Sequence, residues 1–169
     1  METFENLKDL LAENVNRLYN GAQYSKTQLP VIQRFVRSPQ LKNLIRRKIV
    51  MADTQQDYLN ELMKILEVDL DKSKRNRIVK HIIESAKTLT EKSANDQIKE
   101  AAVLGYLKQL SHYEQAEYGT VCSYTGILGL SLSAHDFHEL LAEEREVNLQ
   151  LMLLAENNLS FATDQIMKD

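Results

Sequence analysis

Cysteine is all but missing from this chain: Cys122 stands alone, which excludes an intramolecular disulfide and a thiolate zinc cluster. Only two prolines and five glycines are spread over 169 residues, which argues against a β-rich or loop-rich fold and for long helices. Basic charge is not in excess. The net charge of −3 leaves no electrostatic footprint for nucleic acid. No apolar run is long enough to span a bilayer and no secretory leader opens the chain, so no membrane association and a cytoplasmic location are expected. A glycine-rich phosphate loop, a Ser/His/Asp order and a zinc-protease motif are all missing, so no small-molecule substrate or catalytic residue suggests itself.

What is present is a soluble-protein composition, 43% hydrophobic and 27% charged, in 19.5 kDa. That size predicts a single domain over residues 1–169 with a real core. Apolar residues recur at steps of three and four over residues 4–36, 41–66, 104–128 and 137–155, the spacing of helix seams. The first seam runs through Phe4, Leu11, Leu18, Ala22, Leu29 and Val36, with a kink or break expected near residues 26–30 because of Pro30. Ser38 and Pro39 read as a cap followed by a proline at the first helical position of a second helix, which is expected to run to about Val68. Residues 68–95 differ. An acidic turn and a basic run over 72–77, read as solvated surface, lead into a short amphipathic helix whose inner face is expected to hold Ile78, Ile82, Ile83, Ala86 and Leu89. A third helix is expected from Asn95 to about Leu128, and a fourth from a cap at Ser133 to about Asn158, with a short tail docked through Phe161 and Ile166. Two short-looped hairpins joined by one long crossover is the ferritin-like four-helix arrangement, here all-α with an accessory helix in the crossover.

The middles of these seams are not apolar. Glu114 and Glu144 stand where leucines are expected, and a carboxylate facing the interior is costly unless something pairs with it. Equal distances from the turns place Ala22, Lys48, Met51, Ser111, Glu114, Tyr118, Glu144 and Asn148 near one level of the bundle. In such bundles interior carboxylates often hold metal. A di-metal site takes a glutamate from each of two helices and a Glu-x-x-His pair from each of the other two. Hard oxygen and imidazole ligands suit iron or manganese. This chain supplies fewer carboxylates than that, and its second helix offers the cation Lys48 instead of a ligand.

The stretch Ser111-His112-Tyr113-Glu114-Gln115-Ala116-Glu117-Tyr118-Gly119-Thr120 resembles the EHYE-x-A-x-Y-G-T signature of the YciE/YciF-type family of ferritin-like bacterial proteins linked to stress. Residues 141–145 resemble the family's last helix, Leu18-Tyr19 with Leu29-Pro30 its first, and residues 38–41 the start of its second. The resemblance implies a ferritin-like bundle and a homodimer, in a family with a carboxylate-rich di-metal centre. Carried over residue by residue, that centre is depleted here. The first-helix glutamate falls on Ala22, the second-helix histidine and glutamate on Lys48 and Met51, the first glutamate of the third-helix motif on Ser111, and the last aspartate on Asn148. His112, Glu114, Glu143 and Glu144 remain.

The physical reading of the same residues is that the Lys48 ammonium replaces the metal. It pairs with Glu114 and Glu144, while Ser111, Tyr118 and Asn148 supply hydrogen bonds. A second possibility is that Lys48 reaches to solvent and one glutamate is protonated. No cofactor is expected on the first reading. The chain is then a non-catalytic, stress-associated structural or interaction protein. The competing class is an iron- or manganese-binding oxidoreductase or iron-handling protein that uses Glu114 and Glu144, with His112 and Glu143. His81, His135 and His138 are expected at the surface, and Cys122 as a buried structural thiol.

Overall fold

The computed structural model describes residues 3–166, with side chains through residue 157. All regular elements among the described residues are helices: α1 (Leu7–Gln33), α2 (Pro39–Leu66), α3 (Arg77–Lys92), α4 (Asp96–Ile127) and α5 (Ser131–Ile166). The hairpins α1–α2 and α4–α5 pack through α2 against α5 and α1 against α4, while α3 lies over α1 and α4. This is a ferritin-like four-helix bundle with α3 as the accessory helix of the long crossover.

Caps explain most boundaries. The side chains of Asn6, Ser38, Asn76 and Asn95 each accept the backbone N–H three residues on, at 3.0–3.3 Å, which satisfies one of the free donors at a helix start. The cap at Asn6 places Phe4 ahead of α1, where it is half exposed and outside the seam. Pro30 does not break α1. It sits near the end, so the helix loses one hydrogen bond there and continues to Gln33, held by buried Leu29 and Ile32. The entry to α2 is clamped by α4: Glu100 Oε1 accepts the backbone N–H groups of Arg37 at 2.5 Å and Ser38 at 2.7 Å.

The start of α5 corrects the sequence expectation. Gly129, at φ +73, lets the chain reverse at once, with Leu130 N–H donating to Thr125 C=O at 2.8 Å and Gly129 N–H to Gly126 C=O at 3.1 Å. Leu130 C=O then accepts from Ala134 N–H, so the helix begins at Ser131, and Ser133 is a buried residue of its first turn instead of a cap. At the other end α5 passes Asn158 and reaches Ile166. The docking expected of Phe161 and Ile166 falls on side chains outside the described residues.

The accessory helix turns slightly from its expected face. It buries Val79, Ile82, Ile83, Ala86 and Thr90, and leaves Ile78 and Leu89 half exposed. Thr90 takes the inner position because its hydroxyl donates to the C=O of Ala86 and Lys87, which removes the cost of burying it. The run 72–77 before it is not simply solvated surface. Lys74 pairs with Glu13 at 2.9 Å, and the buried Asn76 donates through Nδ2 to the Tyr113 hydroxyl at 2.8 Å. The side chains of Asn16 and Asn20 bind the backbone N–H and C=O of Asp71 at 2.6 and 3.0 Å. The crossover is therefore stitched to α1 and α4 by polar bonds.

Gly21 makes that stitch possible. A Cβ there would lie 2.8 Å from Asn76 Nδ2 and 3.2 Å from Asn76 Cβ. Asn76 cannot swing away, since its two amide atoms hold Val79 N–H and Tyr113. Gly21→Ala is expected to destabilise by about 1–3 kcal/mol despite alanine's better helix propensity. A urea midpoint at or above that of the parent chain would contradict this.

Candidate functional site

The core is divided. One apolar cluster gathers Leu29, Ile32, Leu41, Ile45, Leu107 and Val147, with the inner face of α3. The other gathers Leu11, Leu18, Leu59, Tyr118, Phe137 and Leu140. Between them, at mid-bundle, lie the buried polar residues Lys48 (3% exposed), Glu114 (6%), Glu144 (0%) and Ser111 (0%).

Each is held by its helix. Lys48 lies on the inner face of α2 between Ile45 and Met51, Glu114 on α4 between Leu110 and Tyr118, and Glu144 on α5 between Leu140 and Val147. The Lys48 ammonium contacts Glu114 Oε2 and lies 2.7 Å from Glu144 Oε1. Ser111 Oγ donates to the same Glu144 Oε1. The second oxygen, Glu144 Oε2, is buried with no hydrogen-bond partner among the described residues.

The electrostatics follow from burial and neighbours. Burial alone would push the Lys48 ammonium down, but Glu114 and then Glu144 outweigh it and hold its pKa above the ordinary lysine value. Glu114 is pushed up to about 7. Burial is the largest cause and Glu144 adds to it, while Lys48 pulls the other way. Two carboxylates against one ammonium leave a negative excess in a buried place, and one proton removes it.

Other expected members stand apart. Tyr118 is fully buried one turn from Glu114, but its hydroxyl donates to Gln55 Oε1 at 3.2 Å instead of to the cluster. Burial, then Glu114 and Glu144, raise its pKa well above the ordinary tyrosine value. Asn148 is buried too, yet its Nδ2 turns toward Met152 Sδ at 3.8 Å and its Oδ1 has no partner among the described residues. His112 and Glu143 are exposed, and Glu143 faces Arg47 at 3.7 Å. Lys48 does not reach solvent. His81, His135 and His138 are exposed, and Cys122 is half-buried, with its Sγ 3.7 Å from Ala134 C=O. No motif or seam position pointed to Gln55 as the acceptor for Tyr118. A buried glutamine one and two turns along α2 from Met51 and Lys48 was the available signal.

These residues do not fit an iron or manganese pair. Lys48 places a cation against both interior carboxylates, and Ala22, Met51 and Ser111 bring no charge to neutralise a metal. Among the described residues, no group of three or more His, Cys, Asp and Glu side chains is placed to hold a metal ion. The arrangement can store charge and fix the register of three helices.

Four similarities bear on this geometry. The family model described as Domain of unknown function (DUF892) matches residues 6–163. Protein YciF of Escherichia coli strain K12 is 32% identical over 79 residues, covering 47% of this chain and 48% of that protein, so the match spans about half the length of that curated relative. The crystal structure of the E. coli stress protein YciF superposes with a TM-score of 0.86 at 20% identity, covering 93% of this chain and 99% of that one. YcfI from Rhodopseudomonas palustris superposes with a TM-score of 0.80 at 21% identity, covering 87% and 93%. At these identities the two solved structures speak for the fold.

Proposed function

The chain belongs to the DUF892 family, a domain of unknown function, and from that premise we propose that it is a non-catalytic, ferritin-like single-domain protein of structural or interaction type whose metal site has been replaced by a lysine–carboxylate cluster. The observation that carries the reading is the Lys48 ammonium between Glu114 and Glu144. An ammonium in that place supplies the positive charge a metal would supply, without a coordination vacancy or a redox electron. A stress-associated role is supported by the relative named the E. coli stress protein YciF. A cytoplasmic location belongs to the same proposal. No helix among the described residues is long and apolar enough to cross a membrane.

Self-association as a homodimer is a further part of the reading. On α5 the side chains of Leu149, Met152 and Leu153 are left 39–52% exposed, an outer face suited to a second helix pair. Light scattering is expected to return twice the chain mass, and a single-chain mass would remove this part.

The catalytic reading is tested by adding ferrous iron in air. Oxidation is expected no faster than in protein-free buffer. An acceleration that disappears in Glu114→Ala would favour the iron-handling oxidoreductase instead.

A further inference from the structure

The second half of α2 carries a charge arrangement that its own stability does not explain. Asp57 and Glu61 share a helix face four residues apart, a like-charge spacing that destabilises a helix. Beyond Leu66, where the helix dipole is negative and cations are favoured, stand Glu67 and Asp69. Glu67 is the one non-glycine residue with positive φ (57°) among the described residues, at a position glycine ordinarily takes. Lys64 is the one cation lining this surface, and it is engaged by Glu61 at 2.7 Å.

These carboxylates rim an open groove of about 950 Å³ whose floor is formed by Tyr58, Met63, Val68 and Leu70. Asp136, Glu139 and Glu143 of α5, which do not line the groove, add negative potential at Tyr58. His135 and Arg47 pair with Glu139 and Glu143. An apolar floor inside a rim of four carboxylates and one lysine is complementary to an amphipathic segment with basic flanks.

We infer that this groove docks a lysine- or arginine-rich amphipathic helix of a partner protein, its apolar face on Tyr58, Val68 and Leu70 and its cations against Asp57, Glu61, Glu67 and Asp69. This names the partner class of the interaction-protein reading and rests on it. Metal analysis decides that reading, and peptide binding decides this one.

The test is fluorescence anisotropy with a labelled synthetic amphipathic helix built of Lys and Leu, against the same helix built of Glu and Leu. The Lys/Leu peptide is expected to bind, more weakly as salt rises, and the Glu/Leu peptide not to bind. Asp57→Lys with Glu67→Lys is expected to weaken binding by about tenfold or more. Glu91→Lys with Glu156→Lys, an equal charge change at exposed positions on α3 and near the far end of α5, is expected to leave it unchanged. Circular dichroism checks that each variant keeps its helices. No binding by the parent chain overturns the inference, as does equal weakening by both double variants, which would mean adsorption to net charge. If the groove variant alone changes the chain's own solution mass and the parent binds no peptide, a second copy occupies the groove and the inference fails.

Discussion

Lys48→Ala is expected to lower the unfolding free energy by roughly 3–5 kcal/mol. The substitution removes the ammonium that touches Glu114 and Glu144 and leaves two buried carboxylates facing each other. Neither can turn to water, since both sit on inward helix faces with apolar neighbours one turn away on either side. The loss is expected to be smaller near pH 5 than near pH 8, because protonation relieves the stranded charges. Replacing all three residues together, as Lys48→Met with Glu114→Gln and Glu144→Gln, is expected to recover much of the stability, since what is costly is the unpaired charge and not the absence of the pair. Chemical unfolding monitored by circular dichroism checks both. Wild-type melting of Lys48→Ala would contradict the assignment of the cluster.

Stability is expected to fall as pH rises through the neutral range, the reverse of what paired surface carboxylates produce. Glu114 has a pKa near 7 in the folded chain, against an ordinary value of 4.5. Between those values the folded chain holds a proton that the unfolded chain has released, so raising the pH favours unfolding. Between about pH 5 and pH 7.5 the loss is on the order of 2 kcal/mol. Lys48 works at the far alkaline end. Its pKa is raised, so its contribution is present below the unfolded lysine value and is lost as pH rises through the folded one. Glu114→Gln is expected to flatten the neutral-range slope, because the amide carries no proton to lose. A parent chain equally stable at both pH values, or an unchanged slope in Glu114→Gln, would contradict this account.

The bundle was legible because helix seams repeat with a period that sequence displays directly. A glutamate in a leucine seam, as at positions 114 and 144, is visible as a break in that period. Caps were legible where an Asn or Ser precedes the first inward residue, as at Ser38 and Asn95. Ser133 misled because the turn before it closes through backbone bonds at Gly126 and Gly129, and a side-chain cap is not needed. The rotation of α3 was not legible. A threonine that bonds its own helix can be buried as readily as a leucine, so Thr90 and Leu89 exchange roles. The directions taken by Tyr118 and Asn148 were also hidden. Seam position fixes where a side chain starts, while its polar end goes to whichever partner is free, here Gln55 for Tyr118 and Met152 for Asn148. The stitch of Asn76 to Tyr113 over Gly21 joins residues far apart in the chain, and no local pattern announces it.

The central claim is that a lysine ammonium, not a metal, answers the two interior carboxylates. Elemental analysis of the purified protein tests it most directly, before and after incubation with ferrous iron and with manganese followed by removal of free metal. The account predicts iron and manganese far below one equivalent per chain in every sample. One or two firmly held metals per chain, lost in Glu114→Ala, would contradict it.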